Sequence, residues 1–473
     1  MDELKDEAIC FACVGDSYLK NLIHTQGQER CCRYCDQQTM AFTLDELADR
    51  IEAAFDQHYV RTGKEFDTYE VIAARDPESD YEPRRRGSQT IPLIEWTAGV
   101  SSEAANDLQE ILYDRYSDHD VSAIDLETAY DAEAQYEQIP PTDFEWQHGW
   151  SKFVQSIKIE ARFFSRVAAS QLAALFDDIS QLLTFDGLPL IVDAGAGSEY
   201  SYFFRGRVFQ SKLKLRTALA YPDRELGAPP AEISAAGRMN AKGISTFYAA
   251  TTPEIAIAEV RPPVGSQVAV ARFDLVRPLR LLDLNRLNAV QIKGSIFDPE
   301  YGRQLGRMMF LRSLCDRISR PVMPDDQDSE YLPTQAIADY LATESQVPLD
   351  GILFPSVQAG GQGVNVVLFN KASRCEELQL NGGNGTKVQI NVSGDAFGQN
   401  YSVLEEEFVL PTDEGPNHSR GTQLPEWAKL GTDDREPSLR VDPKSLVVHA
   451  IYAVSFKMGS QPVGRYRLQT KTV

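Results

Sequence analysis

Gly237-Arg238-Met239-Asn240-Ala241-Lys242-Gly243-Ile244-Ser245-Thr246-Phe247-Tyr248-Ala249-Ala250-Thr251-Thr252-Pro253-Glu254-Ile255-Ala256-Ile257-Ala258-Glu259 is the stretch on which the fold of this chain turns. Glycines bracket a turn that delivers Arg238 and Asn240, and a β-rich run follows that ends at Tyr248. Pro253 then opens a short helix over 253–260 whose last turn carries Glu259. A carboxylate after Ile-Ala-Ile-Ala on a largely apolar helix is expensive to bury unless it is paired or used.

The flanking sequence repeats this theme of polar side chains inside apolar runs. Upstream, 202–209 reads as a strand whose period of two puts Arg205 and Arg207 on one face. Guanidinium suits phosphate binding in a partly buried place, and it serves equally often in structural ion pairs. Downstream, 350–369 reads as strand, Gly-rich loop bearing Ser356, then a strand with Asn365. Exposed N–H groups in such a loop suit a phosphate or amide, although the same pattern also makes a plain hairpin. Further β-rich runs at 268–273 and 446–454, with helical spacing at 302–318 and 334–343, lack regular βαβ alternation, so this half is an α+β domain. Residues 376–440, rich in Gly, Asn, Asp and Pro, read as a loop-rich insertion. Asp193-Ala-Gly-Ala-Gly-Ser198 lacks the third glycine of a nucleotide loop and reads as a linker.

The front of the chain has a different texture. Cys10-Phe-Ala-Cys13 and Cys32-Arg-Tyr-Cys35 are two CxxC pairs, the spacing that offers four thiolates to one structural zinc with no open position. Reduced cysteines in a small core are the alternative, with His24 as a substitute ligand and Cys31 as a spare thiol. Five of the seven cysteines crowd into 10–35, which does not resemble a secreted disulfide framework. Behind a Thr43-x-x-Glu46 capping box, Leu44, Leu47, Ile51, Ala54 and Phe55 predict an amphipathic helix. A second helix is predicted from about 151 to 183, with a buried stripe from Phe153 through Ile157, Ala161, Phe164, Ala168 and Leu172 to Phe176. The segment 76–90 reads as a loop. The expected organisation is a zinc module at 1–42, an acidic, mainly helical domain at 43–190 and the α+β domain at 200–473.

Charge separates the same halves. The 473 residues carry 47 Lys+Arg against 69 Asp+Glu, a net −22. Residues 1–200 hold 16 basic and 39 acidic side chains, while 201–473 hold 31 and 30. The first part repels a polyphosphate, so no nucleic-acid partner is expected; the second is neutral and leaves its arginines free to meet a small anion. Residues 101–150 carry 13 acids and one base, Arg115, and read as a solvated acidic region rather than a catalytic cluster. No membrane span is expected, and the acidic start is unlike a signal peptide, which points to a cytoplasmic protein. Ser356 lacks a nucleophile elbow, and the six histidines include no obvious partner, which argues against a serine hydrolase.

The order Arg, Gly-Arg238-Met-Asn240-x-x-Gly, Tyr248, Glu259, Asp350-Gly-Ile-x-x-x-Ser356 and Asn365-Val-Val-Leu-Phe369, with Tyr331-Leu-Pro-Thr-Gln-Ala-Ile-Ala-Asp-Tyr340, resembles the RES domain family over about 200–460. The front end, with Trp150-x-x-Phe153 and Arg162-Phe-Phe164, resembles the HEPN/RES-type amino-terminal domain, although no Arg-x4–6-His ribonuclease signature occurs. The resemblance implies an ADP-ribosyltransferase-like fold and an NAD-consuming activity of the kind found in bacterial toxins and defence effectors. NAD glycohydrolase or NAD phosphorylase activity would cleave the nicotinamide–ribose bond. Protein ADP-ribosyltransferase and a catalytically silent zinc-containing interaction module are the alternatives. Under this resemblance Glu259 binds the ribose hydroxyls and stabilises the oxocarbenium ion. Arg205, Arg207 or Arg238 holds the pyrophosphate, Tyr248 stacks on nicotinamide or ribose, Ser356 bonds the nicotinamide amide, and Asn240 and Asn365 complete the binding set. Met239 stands where small RES toxins carry a tryptophan. An antitoxin or regulatory protein is the expected partner, or else the acidic 101–150 occludes the pocket in cis.

Overall fold

The structure, a computed structural model, describes residues 2–64, 85–117, 127–320, 322–358, 363–378, 387–395, 398–406, 433–455 and 458–465. Two compact units form, and their division does not follow chain order. The first is Met1–Gln155 with Leu183–Asp186 and Ala289–Leu314; the second is Ser156–Leu182, Gly187–Asn288 and Cys315–Val473.

In the first unit, helix Leu44–His58 starts where the capping box places it. Glu46 N donates to Thr43 Oγ1 at 3.1 Å while Thr43 N donates to Glu46 Oε2 at 2.8 Å, which satisfies two otherwise orphaned donors. Leu47, Ile51 and Phe55 then share a core with Leu108 and Leu112 of helix Ser102–Tyr116. Two small sheets accompany these helices. β1 (Ala8–Cys10), β2 (Gln28–Cys31) and β3 (Gln38–Thr43) lie in the order β1-β3-β2; β4 (Tyr59–Arg61), β5 (Ser88–Gln89) and β6 (Gln135–Gln138) lie as β4-β6-β5. The acidic stretch 101–150 is therefore helix, strand and helix, and 118–126 lies outside the described residues, as do 76–84 of the expected loop. Arg115, its one base, is held by Asp45, Asp49 and Glu52.

The single helix expected over 151–183 is broken. Helix Phe144–Gln155 passes into a wide π turn at Ser156–Glu160, and a new helix runs Arg166–Phe176. Ser165 ends the continuity: its hydroxyl accepts from Ala168 N at 3.1 Å as an N-cap and lies 2.6 Å from Ser156 Oγ. Phe164, just before the cap, has φ of +61° and is fully exposed, whereas Ile157, Leu172 and Phe176 of the stripe are buried as expected.

The second unit is built on an eight-stranded mixed sheet. Its strands are β7 (Ile191–Ala194), β8 (Tyr202–Phe209), β9 (Phe247–Ala250), β10 (Gln267–Leu275), β11 (Leu279–Asp283), β12 (Gly351–Pro355), β13 (Val364–Leu368) and β16 (Leu439–Ala450). The order is β16-β10-β8-β9-β13-β12-β11-β7. Among its described strands only β11 and β12 pair in parallel with each other, with helix Leu332–Thr343 in their crossover. The segment read as a linker at 193–198 is the end of β7 and a turn into β8, in which Gly195 and Gly197 take positive φ. Within the expected insertion, β14 (Lys387–Asp395) and β15 (Gly398–Glu406) form a hairpin; 379–386 and 407–432 lie outside the described residues.

One face of the sheet carries the core of Phe203, Phe247, Phe273, Leu281, Val366 and Leu368. The other face, at Phe204 and Ala250, packs on Ile255 and Ala256 of helix Pro253–Glu259. Two glycines permit that approach. A Cβ at Gly206 would meet Ala256 O at 3.1 Å, and one at Gly363, whose φ is +90°, would lie 1.9 Å from Ile255 Cδ1.

Candidate functional site

The strands bring the marked residues together where the sheet splits. β8 and β9 are paired at Phe204↔Ala250 alone, and Arg205 and Gly206 from β8 and Tyr248 and Ala249 from β9 line a cleft of about 220 Å³. Ala256, Glu259 and Val260 form a second wall, and Phe354, Asn365 and Val366 a third. The lining is mostly apolar and includes the polar residues Arg205, Tyr248, Glu259 and Asn365.

Thr252 caps the helix by accepting from Ile255 N, Pro253 occupies its first turn, and Glu259 is its last residue. Glu259 is exposed at the cleft rather than buried, so its position comes from hydrogen bonds and not from packing. Ser356 Oγ donates to Glu259 Oε1 at 2.7 Å, and Asn365 Nδ2 donates to the same oxygen at 2.8 Å. Ser356 is fully buried and Asn365 is 4% exposed, so both anchors are rigid. Among the described residues no hydrogen bond reaches Oε2, which leaves one carboxylate oxygen held and the other available. The hydroxyl of Ser356 is thus turned to the carboxylate, not to an incoming amide. Asn365 sits opposite Ala250 in the β13–β9 register, which puts it on the helix side of the sheet.

The Gly237–Asn240 turn closes on itself, with Gly237 N donating to Asn240 O at 2.9 Å. Asn240 is buried and spends its whole amide internally. Nδ2 reaches the carbonyls of Ala235, Ala241 and Ile244, and Oδ1 accepts from Tyr248 Oη at 2.7 Å. Met239 N donates to the same tyrosine oxygen at 3.0 Å. Burial pushes the Tyr248 phenol well above its ordinary range, so it stays a neutral donor whose ring lines the cleft. Asn240 organises the turn and does not line the cleft.

The arginines separate into three environments. Arg207 is exposed, and its Nη1 donates to Glu225 O at 2.6 Å and Glu225 Oε2 at 2.8 Å, a surface ion pair. Arg205 has its guanidinium 4.9 Å from the centre of the Phe247 ring, and its Nη1 is shut off from solvent with no hydrogen-bond partner among the described residues. Burial, with Arg207 nearby, pulls its pKa down to about 10. Arg238 lies 5.4 Å above the Tyr331 ring and its Nη1 donates to Ile318 O. Burial lowers its pKa too, with Arg261 acting the same way and the Glu259 carboxylate opposing it. A lone cationic group in a low-dielectric site is what an anionic ligand would satisfy. Arg261, two residues past Glu259, is an exposed arginine with φ of +44° that sequence reasoning passed over; its Arg-Pro-Pro context was the available signal.

A second candidate centre lies in the first unit. The Sγ atoms of Cys10, Cys13, Cys32 and Cys35 lie within 4.8 Å of one another, with Cys10–Cys35 at 3.6 Å and Cys32–Cys13 at 3.8 Å. Bonds of about 2.3 Å to a tetrahedral zinc separate sulfurs by about 3.8 Å, so the set fits that ion with little adjustment. Cys31 is exposed outside the cluster, and His24 instead packs edge-on against Phe11 at 5.0 Å.

The fold and the cleft define an α+β domain with a split mixed sheet and a carboxylate held at the split by serine and amide donors. Residues 207–384 match the family model described as RES domain, and that stretch of the chain is a RES domain. The match contains Arg238, Tyr248, Glu259, Ser356 and Asn365, and it is consistent with an NAD-related function. No curated protein and no solved structure matches the chain. Among the described residues no helix is long and apolar enough to cross a membrane.

Proposed function

We propose that the second unit cleaves the nicotinamide–ribose bond of NAD and passes ADP-ribose to water or phosphate. The observation that carries this reading is the Glu259 carboxylate, with one oxygen fixed by Ser356 and Asn365, in the lining of a mostly apolar cleft. Breaking the bond puts positive charge on the ribose, and a prepositioned carboxylate stabilises that charge more than it stabilises the substrate. The free oxygen of Glu259 binds ribose hydroxyls, the Tyr248 ring packs beside the sugar or the nicotinamide, and Arg205 and Arg238 meet the pyrophosphate. Nicotinamide departs as a neutral molecule, so the leaving group needs no proton. Arg207 and Asn240 serve the scaffold in this reading. The four cysteines of the first unit hold a structural zinc, and activity of this kind would suit a toxin or defence effector restrained by an antitoxin.

The test is to incubate purified protein with NAD with and without phosphate and to follow products by nuclear magnetic resonance. Free ADP-ribose indicates hydrolysis and its 1-phosphate indicates phosphorolysis. Intact NAD in the presence of folded protein rejects the proposal.

A further inference from the structure

Helix Leu332–Thr343 presents its first turn to the Gly237–Asn240 turn, and three side chains of that region grip it. Gln335 Nε2 donates to Gly237 O at 2.8 Å and to Asn240 O at 3.0 Å, bridging the two carbonyls at the turn's base. Thr334 Oγ1 donates to Arg238 O, the carbonyl at the tip. Tyr331 lies beneath the Arg238 guanidinium. The other side of the turn is held by Asn240 and Tyr248, so its backbone is fixed from two directions.

We infer that Gln335 is a positioning residue for Arg238, an inference that rests on the NAD reading above. Gly237 and Asn240 each accept from the other's N–H, and the Gln335 amide adds a donor to both of these carbonyls, which ties the closed turn to the helix. An arginine side chain has many rotamers, and an open turn would let the guanidinium drift from the place where an anionic ligand meets it. Gln335 touches neither Glu259 nor the lining of the cleft, so its removal weakens substrate binding rather than the chemical step.

The experiment compares NAD consumption by wild type, Gln335→Met and Gln335→Glu in the full chain, with thermal melting to confirm folding. Gln335→Met removes the donors at nearly constant shape, and KM for NAD rises about tenfold with kcat within about twofold. Gln335→Glu donates only when its carboxyl is protonated. Its KM relative to wild type is therefore raised at neutral pH and recovers toward pH of about 5, while Gln335→Met shows no such recovery. An active wild type with unchanged KM in Gln335→Met, or equal pH profiles for the two variants, overturns the inference alone. Loss of folding in Gln335→Met also overturns it, because the residue would then be structural. An inactive wild type overturns the NAD reading instead.

Discussion

Ser356 Oγ and Glu259 Oε1 are 2.7 Å apart although 97 residues separate them in the chain. The serine reaches the carboxylate because β12 ends at Pro355, next to β13, whose partner β9 leads into the Glu259 helix. This pair and Asn365 form one hydrogen-bonded unit, and in the proposed function the acid acts while the other two aim it. Glu259→Gln should lower kcat by about 10²- to 10³-fold, as loss of a charge-stabilising group does. Ser356→Ala and Asn365→Leu leave the carboxylate in place but loosely aimed, and each should cost up to about 10²-fold. Rates from product release, measured with a stable fold confirmed by circular dichroism, check this order; a Ser356→Ala defect larger than that of Glu259→Gln would refute it.

The cysteine cluster makes a prediction independent of NAD. The purified chain should contain one zinc ion, and Cys13→Ser or Cys32→Ser should release it. Because metal binding is coupled to folding, removing zinc with a chelator should lower the melting temperature and reduce hydrogen-exchange protection in β1 and β3. Elemental analysis reading no metal in protein prepared with zinc would overturn the assignment.

Features written in local spacing were legible from the residues alone. The Thr43/Glu46 capping box, the two CxxC pairs, the β8 strand and the Pro253 helix each depend on neighbours within a few positions. Features made by distant partners were not. Period-two spacing put Arg205 and Arg207 on one strand face, but nothing local shows that Glu225 takes Arg207 while Arg205 Nη1 has no hydrogen-bond partner among the described residues. Asn240 is drawn into the scaffold by Tyr248, and the grip of Gln335 on the turn spans 98 residues. The broken helix at Ser165 is an instructive miss, since an apolar stripe continued through a residue whose hydroxyl prefers to cap.

Arg205 gives the third prediction. A guanidinium with a solvent-excluded and unbonded nitrogen costs stability in the free protein, and a hydrophobic replacement of similar length relieves that cost. Arg205→Met should therefore melt at a higher temperature than wild type without ligand. ADP-ribose should raise the melting temperature of wild type and not of the variant, because the stabilisation by a ligand scales with its affinity for the folded state. A variant that is less stable when free, or equally stabilised by ADP-ribose, would place Arg205 in the scaffold.

His58 supplies a pH dependence within the first unit. It ends helix Leu44–His58, is 7% exposed, and its Nε2 is buried with no partner among the described residues, with the Tyr301 ring 6.2 Å away. Burial holds the imidazole below its ordinary value of 6.5. The sign follows from linkage. As pH falls through 6.5 the unfolded chain takes up a proton that the folded chain does not, so the contribution is complete above that value and is lost as pH drops toward the folded pKa. Melting followed between pH of about 7.5 and 5.5 should show a falling midpoint, and His58→Leu should flatten part of that fall while keeping the helix end packed. A variant whose midpoint tracks that of wild type across the range would overturn the assignment of this acid sensitivity to His58.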